Sequence, residues 1–257
     1  MKTRIDPDQT PMPLFALKER YAHIHVPFHR HRRAQLIHVN DGTLTVATRD
    51  RRWVIPPQRG VWIAPGVDHR IASSMPFTLT TCYIEPDRFD VPAQGIVAVD
   101  ALTHALLPEV ADLGANWNTP DAERLVAVLF DRLAMLPTPG CGLPLASDGP
   151  LKRLTDILLN DPASQESLSA LAPRAGLSER TATRYFLTRL GISFGAWRRQ
   201  LRLQTALAQL GAGATVTVVA FDVGYRDVSS FITAFRAEYG SSPGRMFRRK
   251  LSDNVKG

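Results

Sequence analysis

The chain has 257 residues, and its 31 Lys and Arg residues outnumber its 24 Asp and Glu residues, which gives a formal net charge of +7. This length favours two domains over one, and two cysteines, Cys82 and Cys141, exclude a disulfide framework. No hydrophobic run approaches about 18 residues, and no signal-peptide pattern stands at the N-terminus. We therefore expect a cytoplasmic protein with no membrane partner.

The positive charge is concentrated in the second half of the chain. Residues 151–257 hold 16 Lys and Arg against 8 Asp and Glu, whereas residues 1–150 hold 15 against 16. A basic half of this kind is typical of a domain that neutralises nucleic-acid phosphates. Binding to a membrane surface would need a basic amphipathic helix with an unmatched hydrophobic face, and the sequence offers none.

Short β-type segments dominate the first part of the chain after a proline-rich arm of about 20 residues. Runs rich in β-branched and aromatic residues alternate with turn residues between positions 21 and 90. The runs are AQLIHV, GTLTVAT, RWVI, GVWIAP and TLTTCYI. This spacing predicts an antiparallel β-barrel or sandwich, which we place at residues 1–95.

Histidines punctuate this region in an order that resembles the cupin pattern. Because alternate residues of a strand face the same side, His29 and His31 can both point into the barrel, where His69 would join them. Gln35 stands where metal-binding cupins carry Glu, and a neutral amide is a poorer ligand than a carboxylate. Three interpretations stay open: Zn²⁺ or a similar divalent ion on the three histidines, a metal-free pocket in which these residues and Trp62 bind an organic effector, or purely structural histidines.

Catalytic constellations are not evident. The sequence shows no Ser/His/Asp or Cys/His arrangement and no Gly-rich phosphate loop, and the cupin carboxylate is missing. We therefore predict that the chain is not an enzyme. A metal-dependent cupin enzyme with a DNA-binding tail is the less favoured alternative.

Residues 96–136 carry hydrophobic residues at three-to-four spacing, which predicts a helical hairpin. Asp100 and Thr119 are its candidate caps. The hairpin can pack on the barrel of its own chain or meet the same hairpin of a second subunit, so a homodimer is an expected assembly. Residues 137–149 are rich in Pro and Gly and form the predicted linker, with the domain boundary at about Asp148.

Two stretches of the second half, residues 168–191 and 216–240, repeat one local pattern. A short hydrophobic helix ends at a glycine, Gly176 or Gly224, which can adopt positive φ and start a tight turn. A polar residue then caps a second helix, Ser178 in the first copy and Asp227 in the second. The second helices repeat hydrophobic residues at i, i+4 and i+8: Ala182, Phe186 and Leu190, then Phe231, Phe235 and Tyr239. One copy alone could be an ordinary helical hairpin, but two in a basic segment favour paired helix-turn-helix units.

The C-terminal half resembles the AraC/XylS family of transcriptional regulators over about residues 151–249. The matching segments are AGLSERTATRYF, WRRQLRLQTAL, VGYRDVSSFITAFRAEYG and SSPGRMFR. The resemblance implies a seven-helix DNA-binding domain, here residues 150–250, often behind a cupin-like sensing barrel. The expected fold is a multidomain α+β chain, with a cupin-like antiparallel barrel and helical hairpin before an all-α double helix-turn-helix domain. Pro173 departs from the pattern and should bend or shorten its helix.

The resemblance also assigns the residues that would contact DNA. On the first reading helix these are Arg180, Thr183 and Arg184; on the second they are Val228, Ser229, Ile232 and Thr233. The phosphate-contact candidates are Arg174, Arg226, Arg236 and Arg248. Arg can donate two hydrogen bonds to one guanine, and no residue of the second set can form such a pair. We therefore expect the first unit to supply most sequence discrimination.

The expected function is that of a ligand-responsive transcriptional regulator, either activator or repressor. Double-stranded DNA and a small-molecule effector are its expected partners, and RNA polymerase is a candidate partner. The effector would bind near the histidines and Trp62 and favour one arrangement of the regulator by differential affinity. A constitutive DNA-binding protein whose barrel only dimerises is the alternative.

Overall fold

The fold is described from a computed structural model, which divides into two compact units between Ser147 and Asp148. The described residues are 6–88, 94–114, 119–136 and 142–247. Cys141, the first part of the predicted linker and the phosphate candidate Arg248 lie outside them. No helix among the described residues is long and hydrophobic enough to cross a membrane.

The first unit is a sandwich of two five-stranded antiparallel sheets, which confirms the predicted antiparallel fold. Its strands are β1 Leu14–Tyr21, β2 Ile24–His29, β3 Ala34–Asp41, β4 Leu44–Thr48, β5 Arg51–Ile55, β6 Arg59–Ile63, β7 His69–Ser73, β8 Phe77–Ile84, β9 Gly95–Ala98 and β10 Leu143–Pro144. The first sheet has the order β1-β8-β3-β6-β9, and the second has the order β10-β5-β4-β7-β2. Every strand pair is antiparallel.

Alternating residues of the first sheet belong to two hydrophobic cores. Ile37 on β3 and Ile63 on β6 pack between the sheets against the fully buried Trp53 of β5. Their neighbours Leu36 and Trp62 face the opposite way, as the two-residue period of a strand requires. Burying each such side chain contributes about 1.5–3 kcal/mol.

A helical hairpin covers the outer face of the first sheet. Its helices are α1 Ala101–Leu113 and α2 Pro120–Ala134. The predicted caps are confirmed, because Asp100 accepts from Thr103 N and Thr119 accepts from Ala122 N. Leu107 and Leu129 are fully buried in the same core as the sheet residues. Packing within the chain therefore uses one face of the hairpin.

A short strand lies within the predicted linker. Leu143 and Pro144 pair with Arg52 and Arg51 at the edge of the second sheet, and Leu143 is fully buried. Gly142 has a φ of +70°, and a side chain there would collide with the indole of Trp53.

The second unit contains seven helices among its described residues. They are α3 Gly149–Asn160, α4 Leu168–Arg174, α5 Glu179–Arg189, α6 Phe194–Gly211, α7 Val216–Asp222, α8 Val228–Tyr239 and α9 Pro243–Met246. Pro173 lies in the last turn of α4. Both α4 and α7 have seven residues, so the proline does not shorten its helix relative to the counterpart.

Candidate nucleic-acid interface and histidine site

The two helix-turn-helix units have the same turn geometry. Gly176 and Gly224 adopt φ angles of +77° and +87°, which glycine reaches without a Cβ clash. The residue after each glycine donates its N–H to an alanine carbonyl, Leu177 to Ala172 and Tyr225 to Ala220, both at 2.9 Å. These bonds satisfy carbonyls at the end of the first helix in each unit.

The second helix of each unit begins at the predicted cap. Ser178 accepts from Thr181 N at 3.2 Å, and Asp227 accepts from Ser230 N at 2.7 Å. These bonds hold the pKa of the Asp227 carboxyl below its ordinary value, chiefly through the Ser230 backbone N–H. The two helix starts are thus fixed by local hydrogen bonds.

Hydrophobic side chains fix the inner faces of α5 and α8. Ala182 and Phe186 of α5 are fully buried, and so are Phe231 and Phe235 of α8. Phe186 meets Trp197 of α6 with ring centroids 5.7 Å apart. Each reading helix is therefore rotated about its axis so that its polar side chains face outward.

The predicted reading residues lie on these outer faces. Arg180, Thr183 and Arg184 of α5 are exposed, as are the α8 residues at its matching positions, Ser229 and Thr233. The predicted phosphate contact Arg236 is also exposed, whereas Val228 and Ile232 are half-buried. The α5 surface is basic, and the α8 surface is small and weakly polar.

Two arginines of the second unit serve its internal structure. Arg202 of α6 donates to Pro162 O at 3.1 Å, to Ser164 O at 2.7 Å and to Gly224 O at 3.2 Å. Partial burial lowers the pKa of Arg202. Arg174, predicted as a phosphate contact, pairs with Glu166 at 2.6 Å. Sequence reasoning missed the role of Arg202 because its partners lie between 22 and 40 residues away along the chain.

The sandwich brings three predicted ligand residues, His29, His31 and His69, to one end of its interior. His29 and His69 pair across β2 and β7, with ring centroids 4.3 Å apart. The centroid of His31 lies 5.1 Å from that of His69. One ring nitrogen of each histidine lies within 4.8 Å of those of the other two.

Backbone carbonyls orient all three imidazoles. The Nδ1 atoms of His29, His31 and His69 lie 2.9, 2.7 and 2.9 Å from the carbonyl oxygens of Pro27, Arg33 and Val67. Because a carbonyl only accepts, each Nδ1 carries a hydrogen, and Nε2 keeps its lone pair wherever the ring is neutral. Burial lowers the pKa of His69 to about 4, so this ring is neutral near pH 7.

Gln35 completes the polar cluster. Its Oε1 lies 3.0 Å from His31 Nε2, and its Nε2 donates to Thr81 Oγ1 at 2.9 Å. His69 Nε2 is buried without a hydrogen-bond partner. Such an orphaned nitrogen is costly unless a ligand or ion satisfies it.

Trp62 does not join this cluster. It is fully buried on the face of β6 that meets the helical hairpin, whereas its neighbour Ile63 pairs with Gln35 and faces the sandwich interior. The prediction that Trp62 lines the effector site is therefore corrected. The reason is that adjacent strand residues point to opposite faces.

Two further buried polar groups escaped the sequence argument. The Arg33 side chain is fully buried, pairs with Glu85 at 2.7 Å and donates to Met12 O at 2.8 Å, which fastens the N-terminal arm. His38 is also buried, and its Nε2 lies 2.8 Å from His104 Nδ1. Burial lowers the pKa of His38 to about 4.

Comparisons with known proteins agree with this arrangement. Residues 12–93 match a family described as an AraC-like ligand binding domain, and residues 171–249 match a helix-turn-helix domain. The chain is 32% identical over 225 residues to the HTH-type transcriptional regulator NimR of Escherichia coli (strain K12). The aligned region covers 87% of this chain and 82% of NimR. It is 36% identical over 130 residues to the HTH-type transcriptional regulator RipA of Corynebacterium glutamicum, over 51% of this chain and 36% of RipA.

A solved structure of low similarity spans almost the whole chain. The crystal structure of unsaturated fatty acid bound ToxT from Vibrio cholerae covers 95% of this chain and 96% of its own, with 10% identity and a TM-score of 0.41.

The paired reading units and the ligand-binding sandwich define a DNA-binding transcriptional regulator with an N-terminal ligand-binding domain. The chain belongs to the AraC family of such regulators. The resemblance inferred from the sequence is thereby confirmed.

Proposed function

We propose that this regulator reads its operator mainly through α5 and is controlled by a small-molecule effector at His29, His31, Gln35 and His69. The observation that carries the first half is the exposed basic face of α5, held outward by fully buried residues behind it. Arg180 and Arg184 supply guanidinium forks for guanine edges, and Thr183 supplies a methyl for thymine.

The second unit contributes shape fit and anchoring. Val228, Ser229, Ile232 and Thr233 offer small contacts and no bidentate pair, so they suit thymine methyls and groove shape. Arg199 of α6 borders a shallow groove beside Ser229 and Thr233. Together with Arg226 and Arg236, it is placed to meet phosphates.

A selection experiment tests the reading assignment. Duplexes retained by the full chain from a random library define its preferred site. The proposal expects base preferences beneath α5 to relax when Arg180 or Arg184 becomes Ala, whereas the same changes at Arg226 or Arg236 weaken all sequences alike. Uniform weakening by every variant contradicts the proposal.

The proposed domains separate effector binding from DNA binding. We propose a sensing sandwich at residues 1–95, a hairpin at 96–136, a linker at 137–149 and a DNA-binding domain at 150–250, with two changes: β9 extends the sandwich to Ala98, and β10 adds Leu143–Pro144 of the linker to it. A homodimer formed through the hairpin would pair two such domains on one operator. The exposed hydrophobic residues of the hairpin support this assembly: Leu102, Val128 and Met135 are 50%, 43% and 70% exposed. RNA polymerase is the candidate partner for activation.

The histidine cluster fits a divalent ion such as Zn²⁺. Imidazole Nε2 atoms are ordinary zinc ligands, and a second hydrogen bond from Nδ1 to a carbonyl is the usual way to orient them. Tetrahedral ligands at about 2.0–2.1 Å from one ion stand about 3.3 Å apart; the histidine nitrogens lie within 4.8 Å of one another, so small side-chain movements would bring them to that spacing. The ion would also satisfy the orphaned Nε2 of His69.

Regulation, not catalysis, is the proposed role of this ion. An effector would bind at the open coordination position of the ion. The named relatives are all transcriptional regulators. Metal analysis of the purified full chain tests the site, with His29→Ala as the variant and His25→Ala, an exposed histidine of the same strand, as the control. Stoichiometric metal in the wild type and control but not in His29→Ala supports the site; equal metal in all three contradicts it.

A further inference from the structure

The four atoms that face the proposed metal position carry no formal charge. Three are imidazole nitrogens, and the fourth is the Oε1 atom of Gln35. His31, Gln35 and His69 are only 8%, 4% and 1% exposed. A divalent ion held by this set would keep its full double positive charge in a buried place, and burying charge without compensation is costly.

The two described carboxylates nearest the cluster each pair with a cation, although Asp68 also acts electrostatically on His69. Asp68, which precedes His69, pairs with Arg49 at 3.5 Å. Glu85 pairs with the fully buried Arg33 at 2.7 Å. No carboxylate of the described residues is among the atoms that face the metal position, so an anionic ligand from solution is free to offset the charge.

We propose that the effector of this sandwich is a small anion, a carboxylate, that replaces water on the metal and supplies the missing negative charge. This inference rests on the proposed metal site. Borderline ions such as Zn²⁺ accept carboxylate oxygen alongside imidazole. A carboxylate on an ion held by neutral ligands gains more from attraction than it would on an ion already paired with a glutamate.

The surroundings leave the cluster accessible from one side. His29 is only half-buried, so the cluster is open to solvent on that side, whereas Trp53 and Phe77 fill the interior beyond it. Arg49 and Arg70 lie over the ring of Phe28, which points to the opposite face of β2 from its neighbour His29, so these two arginines are not part of the opening.

The first test uses the wild-type full chain loaded with Co²⁺, whose visible absorption reports its ligands. Acetate is the anionic probe, and acetamide is the neutral probe of the same shape. We expect acetate to shift the Co²⁺ bands in a saturable way and acetamide to leave them unchanged at equal concentration. Equal shifts with both probes, or none with either, overturn the anion proposal.

The second test changes the charge of the ligand set alone. Gln35→Glu supplies a carboxylate at the same position, so we expect Co²⁺ to bind at least as tightly and acetate to bind at least about tenfold more weakly. Undiminished acetate affinity in a variant that holds Co²⁺ overturns the proposal. Circular dichroism checks that this variant is folded, and the acetate comparison on the wild type needs no variant.

The two tests separate failure of the anion from failure of the metal site. If wild-type protein binds Co²⁺ but ignores acetate, the metal site stands and the anion proposal falls. If wild-type protein and His29→Ala bind Co²⁺ equally poorly, the metal site falls and takes the anion proposal with it.

Discussion

The two helix-turn-helix units share one backbone plan yet offer DNA different surfaces. Their glycine turns close with equivalent hydrogen bonds, each 2.9 Å long, and each reading helix buries two residues completely on its inner face. The outer face of α5 carries Arg180 and Arg184, whereas the corresponding face of α8 is small. Packing constrains only the residues of the inner face, so the residues of the outer face can differ between the two units without disturbing the fold.

The largest expected effects concern the shared inner faces. Phe186→Ala and Phe235→Ala should each lower the free energy of unfolding of the second unit by about 3–5 kcal/mol, because both rings are fully buried. Denaturant unfolding followed by the helical circular dichroism signal measures the loss. Leu187, 54% exposed on α5, is the control, and Leu187→Ala should change stability by less than about 0.5 kcal/mol. A much smaller loss for one phenylalanine would show that the two cores are not equivalent.

Next in size are the effects on operator recognition. Arg180→Ala and Arg184→Ala should each cost about 1–3 kcal/mol of binding free energy on the selected site and little on random duplex, because a guanidinium fork to a base edge is lost. Titrations with both duplexes at one salt concentration measure the difference. Equal losses of binding free energy on the two duplexes would show that both arginines contact only phosphates.

A smaller effect is expected from the second unit. Thr233→Ala removes a single hydroxyl and methyl contact from α8, so its cost on the selected site should stay below about 1 kcal/mol and below that of either arginine. The same titration measures it. A loss larger than that of Arg180→Ala would reverse the ranking of the two units.

The smallest expected effect is a difference in acid sensitivity between the helix starts. Asp227 caps α8, and its pKa is held below the ordinary value by the Ser230 N–H, whereas the Ser178 cap of α5 does not titrate. A carboxyl with a depressed folded pKa stabilises the fold above its unfolded pKa, about 3.9, and that contribution disappears as the pH falls through the folded value. Amide exchange in the first turn of α8 should therefore quicken more than that of α5 below about pH 4.

Asp227→Ser is the matched variant for this effect. It gives α8 the cap that α5 already has, so the difference in acid sensitivity between the two helix starts should disappear. If the difference persists in the variant, its cause lies elsewhere than in the cap.

Local signals made the second unit predictable. Positive φ at Gly176 and Gly224, the caps Ser178 and Asp227 and the buried phenylalanines all depend on residues a few positions apart. The histidine cluster was predictable only in part. PGVDH places His69 after a turn, but β2 ends at His29 and His31 lies in the loop that follows, so strand alternation was the wrong reason for grouping His29 with His31.

Long-range register and contacts made the rest unpredictable. Both faces of β6 are buried, so its hydrophobic run does not reveal that Ile63 rather than Trp62 faces the interior. Arg202 looks like a surface charge on α6 until Ser164 and Gly224 are brought beside it. Buried Arg33 depends in the same way on the arm near Met12, which no local pattern connects to it.

The most direct test of the account is the ratio of dissociation constants of the full chain for a selected duplex and for a scrambled duplex of the same length, at moderate salt. The account predicts binding to the selected duplex at least about 10³-fold tighter, as specific regulators show. Equal affinity for the two duplexes would contradict sequence-specific reading by the paired helices.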